Sequence, residues 1–275
     1  MGQHFLTDPN VGAMILRRGA FHPQDIILEI GAGLGALTIP LALQAKQVLA
    51  VEPDGRIALL LKNELLASGL SNVTIIEKDI LECDMEAMAE ASDRRLTVVG
   101  NLPYHISSQV LIHLINARKF IDRGVLMFQK EVAERLLAKP GSKAYGRLSV
   151  LIQYCASIHA VGHVGASSFY PRPKVDSEVV GMRFPDSIPF PAANEALLFD
   201  IIRTAFGKRR KMLKNALTSG DMELGRGQVS EILEGAHIDP RRRAETLNVE
   251  EFVRLTNVLE ARDRVMVRPP IDEEH

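Results

Sequence analysis

The sequence predicts an α/β fold, a largely parallel sheet covered by helices on both faces, followed by a small all-helical C-terminal domain. Three observations predict it. Short β-branched apolar runs alternate with helix-length segments over the first two-thirds of the chain, the pattern of parallel strands joined by right-handed crossovers. A proline-bearing stretch, Pro185–Asn194, then breaks the pattern. Beyond it the apolar spacing is helical only. The expected division is therefore 1–186 and 187–275.

Element by element, Ile26–Ile30 reads as a buried strand by its length and β-branching, and a glycine-rich turn and a helical pattern through Ala42 follow. Gln47–Glu52 is a second strand, with Asp54 placed to cap a helix in which Ile57, Leu60, Leu61 and Leu65 recur at helical spacing. Val73–Glu77, Leu96–Gly100 and Gly124–Gln129 read as further strands. After a helix at Arg147–Cys155, the extended runs Ile158–Val164 and Val175–Phe184 have no helix between them, so an antiparallel pair at the sheet edge is expected. The last part reads as helices at Glu195–Phe206, Lys208–Leu217, Val229–Leu233 and Val249–Leu259, with a loose tail after Arg262.

Composition narrows the classes of function. The chain has 275 residues, 46 % hydrophobic and 24 % charged, ordinary values for a globular protein. Its two cysteines, Cys83 and Cys155, cannot build a disulfide framework and have no metal-ligand spacing, which points to a reducing cytoplasm and no metal. No apolar run is long enough to span a bilayer, and MGQHFLTDPN is not an apolar signal segment. A formal net charge of −1 hides local asymmetry: Arg203–Gly220 holds Lys208, Arg209, Arg210, Lys211 and Lys214 and no acid. In one helix Lys208, Lys211 and Lys214 would share a side, and clustered cations of this kind suit phosphate. A charge run can equally be a solvated face. Arg241–Arg243 either extends the patch or caps the last helix.

Four signals carry chemistry. Glu29-Ile-Gly31-Ala-Gly33-Leu-Gly35 directly follows the first strand. Glycines there let backbone approach a ligand and aim a helix N-terminus at it. Alone the run also fits a dinucleotide turn, with Ala36 in the last place, or a turn that binds nothing. Glu52, at the end of strand two, can accept both hydroxyls of a ribose. Asp79, past strand three, can accept from an adenine amino group. Either acid could instead cap a helix, but all these features fall at the carboxyl ends of successive strands, where open α/β sheets bind ligands. The fourth signal is Asn101-Leu102-Pro103-Tyr104 after strand four. A purine amino group is conjugated and must pyramidalise before it can attack a methyl; two acceptors on its hydrogens promote this, and the Asn101 oxygen and the Leu102 carbonyl can supply them. Pro103 stiffens the loop, and Tyr104 offers a stacking face for an extruded base.

These residues resemble the bacterial KsgA (RsmA) type of ribosomal RNA adenine-N6,N6-dimethyltransferase. The resemblance runs through Gly2-Gln-His-Phe-Leu6, Glu29–Thr38, Glu52, Asp79, Asn101–Tyr104, Phe128–Leu136, Ser167–Ser177 and Arg243–Phe252, in family order over nearly the whole chain. It implies a Rossmann-like S-adenosyl-L-methionine-dependent methyltransferase sheet, a helical RNA-binding domain, and dimethylation of two adjacent adenines in the 3′-terminal hairpin loop of small-subunit rRNA on the small ribosomal subunit. It also implies residue roles. His4 and Leu6 would close over the methionine end of the cofactor. Gly31 and Gly33 would contact it through backbone, Glu52 would take its ribose and Asp79 its adenine. Asn101 would touch methyl donor and target amine, and Phe169 would face Tyr104 as the second stacking wall. His4 stands where Asn is the more usual residue of the family. Alternatives remain: the antibiotic-resistance type acting on large-subunit rRNA, a ribosome-assembly factor in which binding outweighs turnover, and an NAD oxidoreductase.

Overall fold

The computed structural model describes residues 4–208, 211–220, 222 and 224–267, with side chains described to residue 262. The chain opens with a two-residue strand β1 (Phe5–Leu6) and helix α1 (Pro9–Arg18). Asp8 caps α1 by accepting the Asn10 N–H at 2.9 Å, and Pro9 sits in the first turn, where its missing N–H is of no consequence.

The main sheet alternates strand and helix as the sequence predicts. It runs through β2 (Ile26–Ile30), α2 (Thr38–Ala42), β3 (Gln47–Val51), α3 (Gly55–Ala67), β4 (Val73–Ile76), α4 (Met85–Ser92), β5 (Leu96–Asn101), α5 (Ser107–Asn116), β6 (Ile121–Gln129) and α6 (Lys130–Leu137). Helix α7 (Arg147–Cys155) and strands β7 (Ser157–Val164), β8 (Phe169–Tyr170) and β9 (Ser177–Arg183) follow. The seven-stranded sheet has the order β4-β3-β2-β5-β6-β9-β7. Strands β2 to β6 are parallel, and β9 pairs antiparallel with both β6 and β7. The expected edge pair is thus β9 and β7. All five residues of β2 are buried, as a strand covered on both faces requires.

Strand order decides where a ligand can sit. From β2 the chain steps outward to β3 and β4, then returns to lay β5 on the other side of β2. Crossovers diverge there and leave a crevice at the carboxyl ends of β2, β3 and β5. A second ribbon pairs β1 with β8 antiparallel, Phe5 opposite Tyr170 and Leu6 opposite Phe169.

Two compact units emerge from the packing: 1–137 with 155–186, and 138–154 with 187–275. A division falls after residue 186, and Ala138–Tyr154 groups with the second unit rather than the first. The cause is aromatic packing. Tyr145 lies edge-on to Phe206 at 6.4 Å and Tyr154 edge-on to Phe199 at 6.1 Å between ring centroids. The Tyr154 hydroxyl donates to Glu195 at 3.0 Å. The second unit is helical, with α8 (Glu195–Gly207), α9 (Leu213–Thr218), α10 (Arg226–Gly235) and α11 (Val249–Val267). Its core gathers Leu198, Ile202, Leu213, Leu233 and Phe252, all buried. Truncating a buried aromatic such as Phe252 to Ala would cost about 3–5 kcal/mol. Helix α11 continues to Val267, so the tail expected to be loose after Arg262 is helical for another turn.

The expected helix Lys208–Leu217 is broken. Helix α8 ends at Gly207, Met212 is extended, and α9 starts at Leu213. The Leu213 N–H is taken by the Arg242 carbonyl at 2.7 Å instead of by a preceding turn. A charge pattern cannot announce such a break, because the competing acceptor lies far along the chain.

Candidate functional site

The crevice at the sheet's carboxyl edge is a cleft whose floor is the turn after β2. Gly31 and Gly33 have φ of 74° and 55°, a region that side-chain-bearing residues avoid. A Cβ on Gly33 would lie 3.4 Å from the Phe5 ring, so β1 passes close over the turn. The Gly31 and Ala32 N–H groups donate to the Val51 carbonyl, fixing the turn to β3. Glu52, buried to 2 % exposure, completes the fixation. One carboxylate oxygen accepts the Gly33 N–H at 3.0 Å and the other accepts the Asp54 N–H at 3.1 Å. Each oxygen retains a second lone pair, so the carboxylate can hold the turn and still accept two hydroxyls.

Glu29 shares this cleft, and its place within a buried strand gives no hint of a role. It is 1 % exposed, and one of its oxygens makes no hydrogen bond of good geometry among the described residues, the nearby Thr38 hydroxyl being close enough to influence it but not aligned to bond it. Burial pushes its carboxyl up to about 8; the nearby Thr38 hydroxyl opposes the shift and the Glu52 charge adds to it. An orphaned buried oxygen in a cleft is the mark of a missing polar partner.

The other wall is Asn101–Tyr104 at the end of β5. The Leu102 N–H donates to the Met127 carbonyl at 3.2 Å, which ties the loop to β6. The Asn101 amide nitrogen donates to the His4 backbone carbonyl at 3.0 Å. A carbonyl can only accept, so the amide orientation is fixed and its oxygen remains available as an acceptor. The Tyr104 hydroxyl and Ser177 Oγ are 3.1 Å apart, and the Ser107 hydroxyl donates to the Tyr104 carbonyl. The half-buried Tyr104 ring lies 5.4 Å from the His4 imidazole, tilted by 33°. His4 Nδ1 is 2.6 Å from the Pro171 carbonyl.

The structure thus brings His4, Leu6, Gly31, Gly33, Glu52 and the whole Asn101–Tyr104 run into one cleft. Asp79 lines an adjoining one, with Pro53, Ile80 and Ile106; Gly31 and Pro103 border both. Asp79 also accepts the Leu81 N–H at 3.0 Å, so it caps a turn as well as facing the cleft. Phe169 is the exception. It is 3 % exposed and packs in the core with Val161, Val164 and Val179, away from the cleft lining. The expected second wall is therefore not assembled here, because alternation along β8 turns Phe169 inward and Tyr170 outward. Phe5 and Thr7 also line the cleft; the pairing of β1 with the distant β8 and the bonds of Thr7 to the Ser168 carbonyl hold them there, a signal no local pattern carries.

In the second unit Lys208 and Lys211 line a concavity together with Asn215, Thr218, Ser219 and Arg226. Among the described residues no acid lines it. Lys214 is half-buried and not part of it. Arg209 and Arg210 lie outside the described residues. Arg226 is distant in sequence from the basic run, and no local pattern points to it. Arg241, Arg242 and Arg243 pair with Asp239, Glu251 and Glu245, so they serve local structure and not the concavity.

Comparison with known proteins decides among the alternatives. The family model described as "Ribosomal RNA adenine dimethylase" matches residues 1–261. The chain belongs to the ribosomal RNA adenine dimethylase family. The Desulforapulum autotrophicum protein named "Ribosomal RNA small subunit methyltransferase A" is 46 % identical over 259 residues, covering 94 % of this chain and 90 % of the relative. A Geobacillus kaustophilus protein of the same name is 40 % identical over 267 residues, covering 94 % and 89 %. Among solved structures, a dimethyladenosine transferase from Plasmodium falciparum superposes with a TM-score of 0.81 at 27 % identity, over 95 % of this chain and 98 % of that one. The 23S rRNA methyltransferase ErmE gives 0.71 at 25 % identity, over 93 % and 99 %. As a member of the ribosomal RNA adenine dimethylase family the chain is an S-adenosylmethionine-dependent rRNA adenine dimethyltransferase, and the NAD oxidoreductase alternative falls away. The cleft fits that cofactor: Glu52 keeps two acceptor positions for a ribose, and the orphaned Glu29 oxygen lacks a polar partner among the described residues.

Proposed function

We propose that this dimethylase modifies two adjacent adenines in the 3′-terminal hairpin loop of small-subunit rRNA, on the small ribosomal subunit in the cytoplasm. The relatives at 46 % and 40 % identity are named for the small subunit, whereas the large-subunit enzyme ErmE stands at 25 %. The buried free thiols of Cys83 and Cys155 suit a reducing compartment. A loop target makes extrusion of the base less costly than it is in a duplex.

S-adenosylmethionine, when bound, supplies the electrophilic methyl. Glu52 accepts from its ribose hydroxyls, Asp79 from its adenine amino group, and the Gly31–Gly33 backbone, His4 and Leu6 surround its methionine end. Tyr104 stacks on the extruded target base. Phe169 joins as a second wall only if its ring leaves the core. Asn101 Oδ1 and the Leu102 carbonyl accept from the two N6 hydrogens, so the nitrogen pyramidalises and its lone pair turns towards the methyl. Each transfer would break the bond between the methyl and the cofactor's sulfur, leaving a neutral thioether, while the nitrogen takes the methyl and a positive charge and loses a proton to water; a strong base is not required, and in the second round the one remaining hydrogen is held by one of the two acceptors. The observation that carries this reading is the pinned Asn101 amide, whose nitrogen is engaged by His4 and whose oxygen is left to accept.

RNA phosphates dock in the concavity of Lys208, Lys211 and Arg226, with Arg209, Arg210 and Lys214 contributing from the same basic segment. Incubating the protein with labelled cofactor and small subunits from cells lacking this modification tests the substrate. Dimethylation mapped to the two adjacent hairpin adenines is the expected outcome; label in large-subunit RNA or elsewhere would refute it.

A further inference from the structure

We propose that His4 is a positioning residue for Asn101: its imidazole anchors the end of β1 so that its own backbone carbonyl sets the orientation of the Asn101 amide. This rests on the reading of Asn101 Oδ1 as the acceptor of the target amine. An unrestrained Asn amide has two flips of similar energy, exchanging oxygen for nitrogen at the reacting position. One neutral hydrogen bond biases such a choice by roughly threefold to tenfold. Here that bond is the one from Asn101 Nδ2 to the His4 carbonyl at 3.0 Å. Its effect depends on the carbonyl staying in place.

Strand β1 is packed through Leu6 on the core and Phe5 on the Gly33 turn, but its backbone has few hydrogen bonds. Among the described residues it pairs only with the two-residue β8. At its far end the Thr7 N–H and hydroxyl both donate to the Ser168 carbonyl, at 2.9 and 3.1 Å. Among the described residues the anchor at its near end is the His4 ring, whose Nδ1 is 2.6 Å from the Pro171 carbonyl. Because that carbonyl only accepts, Nδ1 carries the proton. The same ring lies against Tyr104 at 5.4 Å. The imidazole therefore joins the β8 loop to the Asn101–Tyr104 loop while the backbone of the same residue orients the amide.

The experiment compares the unaltered protein with His4→Ala, His4→Asn and Asn101→Ala, measuring single-turnover methyl transfer at saturating cofactor and the cofactor Kd by calorimetry. His4→Ala is expected to slow transfer at saturating cofactor about twofold, because losing a bias of roughly tenfold takes the productive flip from about nine-tenths to about one-half of the molecules, separately from any rise in cofactor Kd through the contact of His4 with the methionine end. His4→Asn, whose side-chain N–H can donate to the Pro171 carbonyl, should restore most of the rate. With Asn side chains 15N-labelled, the Asn101 Nδ2 protons should be protected from exchange in the unaltered protein and in His4→Asn, and exposed in His4→Ala. Transfer by His4→Ala at the unaltered rate at saturating cofactor, Asn101 Nδ2 protons as well protected in His4→Ala as in the unaltered protein, or His4→Asn as slow as His4→Ala would each overturn the proposal. If Asn101→Ala itself transfers normally, the assignment of Asn101 is what fails.

Discussion

The glycine-turn half of the cleft and the Asn101–Tyr104 half both sit at carboxyl ends of parallel strands, but they are held by different means. In the first half the backbone does the holding: Gly31 and Ala32 bond to Val51, and Glu52 grips Gly33 and Asp54 through main-chain N–H groups. In the second half one backbone bond, from Leu102 to Met127, ties the loop to β6, and the rest of the holding is by side chains that reach to segments far away in sequence, from Asn101 to His4 and from Tyr104 to Ser177. A backbone-held site is rigid before any ligand arrives. A site held by a short ribbon and side-chain bonds can yield to an incoming base. The cleft thus joins a preformed cofactor seat to an adaptable base seat, and substitutions in one half should leave the other largely intact.

The largest expected effect tests that separation. Asn101→Ala should slow methyl transfer by about a hundredfold to a thousandfold, the usual range for losing one hydrogen-bonding group at a reacting centre, while its cofactor Kd changes little. Equal losses in both would merge the two halves.

Glu29 sharpens the contrast from the cofactor side. Its folded carboxyl is raised to about 8 from an ordinary value of 4.5. Between those values the folded chain keeps a proton the unfolded chain has lost, so the cofactor-free protein loses stability as pH rises through that window. Glu29→Gln cannot ionise. The stability gap between the two proteins should therefore shift in favour of the variant between about pH 5 and pH 9, by an amount on the order of a few kcal/mol. Parallel unfolding midpoints across that range would show that Glu29 is not buried in this way.

Glu52→Gln should raise the cofactor Kd by roughly tenfold to a hundredfold, the cost of replacing a charged acceptor, and leave the rate at saturating cofactor nearly unchanged; an unchanged Kd would remove Glu52 from the site. The smallest effect belongs to the second unit. Alanine at Lys208, Lys211 or Arg226 should each weaken RNA binding severalfold and lower the salt slope by about one for every phosphate no longer neutralised, with the cofactor Kd unaffected. Identical salt slopes would place the phosphate-binding cations elsewhere.

Much of this is legible in the sequence, and the parts that are not share a cause. The inner strands such as β2 and β3 announce themselves because a parallel strand buried on both faces must be an unbroken apolar run, as Ile26–Ile30 nearly is, with Glu29 the one polar residue in it. Glu52 and Asn101 are legible because strand ends define the binding edge of such a sheet. What the sequence hides depends on distant partners. The β1–β8 ribbon, the transfer of Ala138–Tyr154 to the helical unit, and the break before Leu213 are each settled by residues far along the chain: Phe169 and Tyr170, Phe199 and Phe206, and the Arg242 carbonyl. Arg226 joins Lys208 and Lys211 only through the packing of the helical unit. Phe169 is another case: its place in the chain suggests a stacking wall, while in this structure its ring is buried in the core.

The most direct measurement is a structure of the protein with a cofactor analogue and a short RNA hairpin carrying the target adenines. The target base should lie against Tyr104, with its N6 at hydrogen-bond distance, about 2.7–3.2 Å, from both Asn101 Oδ1 and the Leu102 carbonyl, and with the His4 carbonyl still holding Asn101 Nδ2. A bound adenine whose amino group faces other acceptors, with Asn101 turned away from it, would contradict this arrangement.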